Sequence, residues 1–556
     1  MRGEPAEPIT VGCRPQSAAS LLAALVRLPF RAFEMMSDTA DVPVGRSLRR
    51  RALLFGGFGA LLLAACAGPS SVVAGESMRS PDPPPPVFQI AVLAADDLTP
   101  LPAALVVGPD SLAADESGRA TLTWLDDPIE ITASAPGFHD ALTTVDALPT
   151  VGPVELRLAP VVLQGRVVGP GGRPLPGSRV VLGDMETTTD IRGDFRMIRA
   201  VAGEITVTRP AWSPTSLGWT GSEEEVSVTM APRMVRALRV QAAKTGDPES
   251  WAELLELADA TEVNAFVIDT KDERGNVYHD TQVNLAHEIG AVQALYDLDK
   301  VLADMDEHDL YKITRIVTFQ DPWLAKATPS MATTNTSTGA IWETDSGRAW
   351  LDPTDHASWE YPLSLASEAC RRGFDEIQFD YVRFPTDGPV RQARFDHLIY
   401  DDYYGVDAQQ VRVDTIAAFL AEAHARLNPL GCAVAADIFA ITLQSRGSDE
   451  GIGQLPGPLS SSVDVLSPMI YSYAYRAGWQ GFDNPNDHAK EIVELALDAG
   501  IPQLEGFSIY RPWLQRAFLE SSEILEVQEV AEARDLGWML WSENTLFDLS
   551  MLEAAG

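Results

Sequence analysis

Apolar and polar positions divide the chain into stretches of different rhythm. Residues 87–232 alternate between the two in short runs broken by Gly, Pro and Asp, the pattern of half-buried β-strands joined by tight turns. From Met234 onward, short continuous apolar runs alternate with segments of helical period, which predicts parallel βα units. Eight strands are predicted there: Val235–Val240, Ala265–Asp269, Lys312–Phe319, Glu376–Asp380, Ala433–Asp437, Val463–Tyr471, Gln503–Tyr510 and Trp538–Trp541. Helices are predicted between them at Ser250–Ala260, Leu298–Glu307, Leu363–Arg372, Val413–Leu427, Ala489–Ala499 and Ile524–Leu536. Eight such units in about 320 residues predict a (β/α)8 barrel, residues 234–556, with enlarged loops at Gln320–Trp359 and Pro385–Val411. The expected fold class is therefore α/β, a TIM barrel preceded by two small all-β sandwich modules.

The β stretch repeats itself at a period of about 75 residues, giving predicted modules 87–159 and 160–232. Leu101-Pro102 before Leu105-Val106-Val107-Gly108 is answered by Leu175-Pro176 before Val180-Val181-Leu182-Gly183. Asp115 and Gly118 are answered by Asp190 and Gly193. The second copy, "GRVVGPGGRPLPGSRVVLGD…TTTDIRGDFRM", resembles the carboxypeptidase regulatory-like β-sandwich, and the first is a more degenerate version. Neither copy clusters aromatics or metal ligands, so both read as a rigid stalk.

Upstream, the basic run Arg46-Ser-Leu-Arg-Arg-Arg precedes the apolar run Ala52–Ala65, and Leu63-Ala64-Ala65-Cys66 follows. A basic region, a short apolar region and small residues before the cut form a secretory signal, too short for a stable membrane span. Cysteine directly after Leu-Ala-Ala resembles a bacterial lipobox, which implies lipidation at Cys66, with residues 1–66 as the export segment. Translation is expected to start at Met35 or Met36, because residues 1–34 sit awkwardly before this signal. Residues 67–86 are small, polar and Pro-rich, the composition of a tether. The expected location is a membrane-anchored lipoprotein on the periplasmic or extracellular face of a bacterial envelope.

Net charge is −37, which argues against nucleic acid as a partner, since phosphate backbones are held by Lys and Arg. The four cysteines, Cys13, Cys66, Cys370 and Cys432, exclude a disulfide framework. Cys370 and Cys432 lie in apolar surroundings, where a free cysteine behaves as a small hydrophobe; that is the expectation, with a bridge between them as the alternative. No metal or cofactor motif appears. Asp269–Asn276, "DTKDERGN", lacks the ligand spacing of a calcium loop. Neither G-x-S-x-G nor H-E-x-x-H is present.

Barrel chemistry sits where the strands end. The second strand ends on Asp269 with Lys271 and Asp272 following, and the fourth on Asp380-Tyr381-Val382-Arg383. The fifth ends on Asp437, the sixth on Tyr471, and the seventh runs into Arg511-Pro512-Trp513. The eighth ends on Trp541-Ser542-Glu543. One Asp ending a strand can simply cap the next helix. Three of them ringed by Tyr, Trp and Arg predict a site.

The segments "VNAFVIDTKDERG", "ITRIVTFQDPWLA", "GFDEIQFDYVRFP", "VDVLSPMIYSYAY", "YRPWLQ" and "GWMLWSENTLFD" occur in that order. Together they resemble the bacterial putative glycosyl hydrolase domain family, itself distantly similar to α-amylase-like barrels. Similar sequences read Pro-Ser-His-Tyr where this chain has Ser472-Tyr473-Ala474-Tyr475, and Trp-Asn where it has Trp541-Ser542. The resemblance implies a glycoside hydrolase using two carboxylates by a retaining mechanism on an extracellular or envelope polysaccharide. It implies Asp380 as nucleophile and Asp437 as general acid/base, although α-amylase-like barrels usually place the longer Glu at the latter position. Asp269, Asp272 and Glu543 are rival acids. Asp269, Lys271, Arg383, Tyr381, Tyr471, Arg511, Trp513, Trp541 and Glu543 are candidate substrate-binding residues. Arg383 can hold Asp380 ionised, or pair with Asp375 or Glu376. Trp323 is a further candidate for sugar stacking. A non-catalytic glycan-binding lipoprotein and an envelope scaffold with a filled rim are the competing readings.

Overall fold

The computed structural model describes residues 83–124, 128–222, 225–395 and 408–555. The export segment, Cys66 and the tether up to residue 82 lie outside the described residues, as does part of the loop 385–411. Eight parallel strands close into a barrel: β1 (Arg236–Val240), β2 (Ala265–Lys271), β3 (Tyr311–Val317), β4 (Glu376–Asp380), β5 (Ala433–Phe439), β6 (Val465–Ile470), β7 (Ile509–Tyr510 and Trp513–Gln515) and β8 (Trp538–Trp541). Each pairs with its sequence neighbour, and β8 returns to pair with β1.

Burial on both faces explains the continuous apolar runs: all seven residues of β2 are buried. Ala265, Val267, Tyr311, Ile313, Trp513 and Met539 cluster inside the barrel, while Phe266, Ile268, Ile377 and Phe379 pack outward against the helices. Strand β7 departs from the prediction Gln503–Tyr510. Ile501–Gln503 forms a 3-10 turn, and pairing begins only at Ile509. It is interrupted at Arg511-Pro512, where proline lacks the N–H a ladder needs, and resumes at Trp513. Helix ends follow local chemistry. Asp247 caps Pro248–Ala260 and Asp297 caps Leu298–Glu307, and left-handed Gly373 stops Glu360–Arg372.

Cys370 and Cys432 form a disulfide with Cα atoms 5.9 Å apart, correcting the expectation of two free thiols. Apolar surroundings suit either state, so only the spatial neighbourhood distinguishes them. The bridge joins the last turn of Glu360–Arg372 to the residue before β5.

Two all-β units precede the barrel, each with seven strands in two sheets among the described residues. In the first, Val87–Ala94 lies between Arg119–Thr123 and Val154–Leu158, opposite a four-stranded sheet containing Ala104–Val107 and Ile129–Ser134. In the second, Val162–Val168 lies between Asp194–Ile198 and Val226–Thr229, opposite a sheet containing Arg179–Leu182 and Gly203–Thr208. The strand order is the same in both. In each three-stranded sheet the first strand of the unit pairs in parallel with the last, Val87–Ala94 with Val154–Leu158 and Val162–Val168 with Val226–Thr229; the other pairings are antiparallel.

The second unit is built onto the floor of the barrel. Its core is continuous with Ala433, Ala435, Val465 and Ile509, at the starts of β5, β6 and β7. Arg209 meets Asp464 at 3.0 Å with both side chains fully buried, and its guanidinium lies over Phe507 at 4.5 Å. Asp464 also accepts hydrogen bonds from the Val434 amide and Asn428. The opposite end of the barrel remains open.

Candidate active site

Because side chains alternate across a strand, every second residue faces the barrel interior. At the C-terminal end this alternation delivers Arg239, Asp269, Arg315, Asp380, Asp437, Tyr471, Trp513 and Trp541, one from each strand or the residue just after it. Six of these eight, Arg315, Asp380, Asp437, Tyr471, Trp513 and Trp541, line a cavity of about 300 Å³. Larger crevices, of about 340, 580, 640 and 640 Å³, lie elsewhere among the described residues, and none of these is lined by a predicted site residue.

Asp380 is 5% exposed and faces a guanidinium. Arg315 Nε donates to its Oδ2 at 2.8 Å, Arg315 Nη2 reaches the same oxygen at 2.6 Å, and the Tyr381 amide donates to Oδ1 at 2.6 Å. Burial alone would depress Arg315, but the carboxylates of Asp380 and Asp269 outweigh it and hold the guanidinium firmly protonated. Tyr381 adopts φ +50°, a left-handed conformation that a bulky residue takes only under constraint. This bend ends β4 and carries the chain past the cavity.

Asp437 stands on the adjacent strand, β5, one register position beyond the Phe379–Ala436 pair, and therefore beside Asp380. It is 1% exposed, and its Oδ1 accepts one hydrogen bond, from Trp513 Nε1 at 2.8 Å. Burial drives its carboxyl well above the usual carboxylate range, and the neighbouring charge of Asp380 adds to this. Arg315 and the Trp513 hydrogen bond oppose the shift without cancelling it. One carboxyl is thus matched to a cation, while burial and the neighbouring charge push the other toward its neutral form.

The walls are aromatic. Tyr471 stacks on Tyr473 with ring centroids 5.5 Å apart, and Trp513 meets Trp541 edge-on at 5.5 Å. Trp350, from the loop after β3, is fully buried and does not line the cavity; its ring lies 5.9 Å from that of Tyr381. That loop is clasped to the loop after β4 through the Thr334–Asn335 and Ala393–Arg394 pairing.

Several predicted residues stand elsewhere. Asp269 does not line the cavity; it is locked between Arg239, at 2.5 Å, and Arg315, at 3.3 Å. Lys271 is fully buried, paired with Asp321 at 3.0 Å and facing Tyr361 behind the barrel wall. A β-bulge between Asp269 and Lys271 accompanies this turn away from the cavity. Arg511 lies inside the barrel, with Nη1 on both oxygens of Glu376 at 2.6 and 2.7 Å, at the opposite end of β4 from Asp380. Glu543 is exposed outside the cavity and offers its backbone carbonyl to Arg239. Asp272 closes a turn by accepting from the Arg274 and Asn276 amides and from Tyr278. Trp323 donates to Asn276 at the surface. Arg383 lines the cavity but pairs with neither Asp380, Asp375 nor Glu376; its guanidinium lies among the rings of Trp350, Tyr381 and Phe439. Sequence reasoning missed Arg239, Arg315, Phe439 and Tyr473. The first two lie within predicted strands, on the same alternating face as the strand-end carboxylates.

A family described as "Putative glycosyl hydrolase domain" matches residues 237–547. No curated protein matches the chain. Among solved structures, a hypothetical protein from Ruminiclostridium thermocellum is 34% identical, the match covering 36% of this chain and 96% of that one, with a TM-score of 0.32. The glycoside hydrolase domain of PgaB (BpsB) from Bordetella bronchiseptica is 11% identical, covering 56% and 95%, with a TM-score of 0.41. The glycoside hydrolase domain of PelA from Pseudomonas aeruginosa is 12% identical, covering 56% and 96%, with a TM-score of 0.32.

Proposed function

This chain belongs to the putative glycosyl hydrolase domain family, and from that premise we propose that it cleaves an extracellular or envelope polysaccharide with Asp380 as nucleophile and Asp437 as general acid/base. The observation that carries the reading is the pair itself: two carboxyl groups on adjacent strands, facing one cavity, in opposite electrostatic settings. Neighbouring strands lie about 4.8 Å apart. Carboxyl groups side by side on them suit the separation of roughly 5–5.5 Å used by retaining enzymes, not the wider gap that accommodates a water.

In the first step an Asp380 oxygen attacks the anomeric carbon while the bond to the leaving oxygen breaks, and Asp437 delivers its proton to that oxygen. The product is a glycosyl ester on Asp380, with Asp437 now a carboxylate. In the second step Asp437 takes a proton from water as the water oxygen attacks the anomeric carbon, and Asp380 leaves. Arg315 matches the charge of Asp380 before attack and after release. Tyr471 and Trp541 offer apolar faces to the sugar rings.

We place the protein outside the cytoplasm, tethered by a lipid on Cys66. The signal pattern before Cys66 supports this, and so does the Cys370–Cys432 bridge, a bond that persists in oxidising compartments.

The test is reducing-sugar release from a panel of α-glucans and bacterial exopolysaccharides by the full chain and by its Asp380→Asn variant. The parent is expected to cleave at least one polymer, and the folded variant to lose several orders of magnitude in rate. Retention of a glycan without cleavage by either protein would replace the enzyme with a binding lipoprotein.

A further inference from the structure

The buried cations of the barrel follow one rule, and Arg383 breaks it. Arg239 is paired with Asp269, Lys271 with Asp321, Arg315 with Asp380 and Asp269, and Arg511 with Glu376. Arg383 is only 4% exposed, yet no carboxylate among the described residues comes within the 4.0 Å of an ion pair. Its Nη1 donates to the Phe384 carbonyl and the Thr386 hydroxyl, both at 3.1 Å. No described residue accepts from its Nε or Nη2. The guanidinium is instead held in place by the rings of Phe439, Tyr381 and Trp350, at 4.6, 4.9 and 5.1 Å.

Three rings fix the plane of the group and compensate part of its burial, but they do not neutralise it. A buried guanidinium with donors left over is poised for an anion that offers two oxygens to its N–H groups at once. It borders the same cavity as Asp380 and Asp437, so the anion belongs to whatever lies across those carboxyls. Asp387 also borders that cavity, outside ion-pair reach of Arg383.

We propose that Arg383 receives a carboxylate or sulfate group carried by the sugar, so that the substrate is an anionic polysaccharide. This rests on the glycan-cleft reading above and adds the substrate class to it. The overall charge of −37 does not stand against it. Surface charges are screened beyond about 8 Å at physiological salt, whereas the contact at Arg383 is made inside the cavity.

Affinity is measured by calorimetry for oligogalacturonate, an alginate oligomer and a sulfated galactan oligomer, each beside its carboxyl-reduced or desulfated form. The full chain carries Asp380→Asn so that nothing is consumed, and thermal unfolding confirms the fold of each variant. At least one anionic probe is expected to bind roughly 10- to 100-fold more tightly than its neutral form. Adding Arg383→Met should bring that ratio close to one, and Arg383→Lys should keep part of it. Preference for a carboxylate or for a sulfate probe identifies the substituent. Equal affinity for charged and neutral forms, a preference that survives Arg383→Met, or no retention of any anionic probe would overturn the proposal. Hydrolysis by the parent chain is scored separately. Binding that depends on Arg383 without hydrolysis upholds the anion site while removing the glycosidase reading.

Discussion

Arg315 is the residue on which the pocket's electrostatics turn, because its guanidinium is shared between Asp380 and Asp269. Arg315→Met leaves two buried carboxylates without their common cation, and removing one partner of a buried pair costs about 3–5 kcal/mol. Urea denaturation should show that loss, with Arg315→Lys recovering part of it. Trp513 tunes the other carboxyl. Asp437 must be protonated to act as the acid, so kcat/KM falls as pH rises through its raised pKa. The Trp513 hydrogen bond favours the carboxylate form. Trp513→Phe therefore raises the Asp437 pKa further and moves the alkaline limb of the pH profile to higher pH, by about one pH unit. An unmoved limb would assign the acid role to another group. Asp380 and Asp437 were legible in the sequence because each ends an apolar run. Arg315 and Arg239 were equally present in it, inside the predicted strands and on the inward face, but a reading of strand ends alone passes over them. Lys271 and Arg511 were misplaced for the converse reason: a β-bulge and a broken strand decide which way they point, and neither leaves a local signal.

At the scale of elements, βα alternation was readable because each fully buried strand is a short apolar run between amphipathic helices. Strand β7 was not, since its two pieces total five residues around a proline and its pairing is set by β6 and β8. The disulfide was unreadable as well. Its partners are separated by 62 residues, and only the packing of Glu360–Arg372 beside the start of β5 brings them together. That closed segment contains β4, so the bridge ties down the strand that carries Asp380. The chain-entropy relation for a closed segment of 62 residues gives about 4 kcal/mol. The double substitution Cys370→Ala, Cys432→Ala should lower stability by about 2–4 kcal/mol in denaturant titration. No change on removing the bridge would mean that barrel packing alone fixes this segment.

At the scale of the whole molecule, among the described residues, two seven-stranded units lead to a barrel; the second packs against its floor, and the cavity lies at the other end. This polarity suits a stalk: the attachment lies at the end away from the cleft. The proposed lipid anchor at Cys66 predicts that the parent, expressed in a bacterium, partitions into detergent, and that Cys66→Ser moves it to the aqueous phase. An aqueous parent would remove the lipid anchor from the account. The central claim, that Asp380 forms a glycosyl ester during turnover, is tested most directly by trapping that ester. A polysaccharide that the parent cleaves identifies the sugar, and its activated 2-fluoro glycoside is then incubated with the protein before mass analysis of the intact chain and its peptides. The account predicts one added glycosyl group on the peptide containing Asp380 and none in Asp380→Asn. A glycosyl group on a different carboxylate, or an inverted product with no adduct, would contradict it.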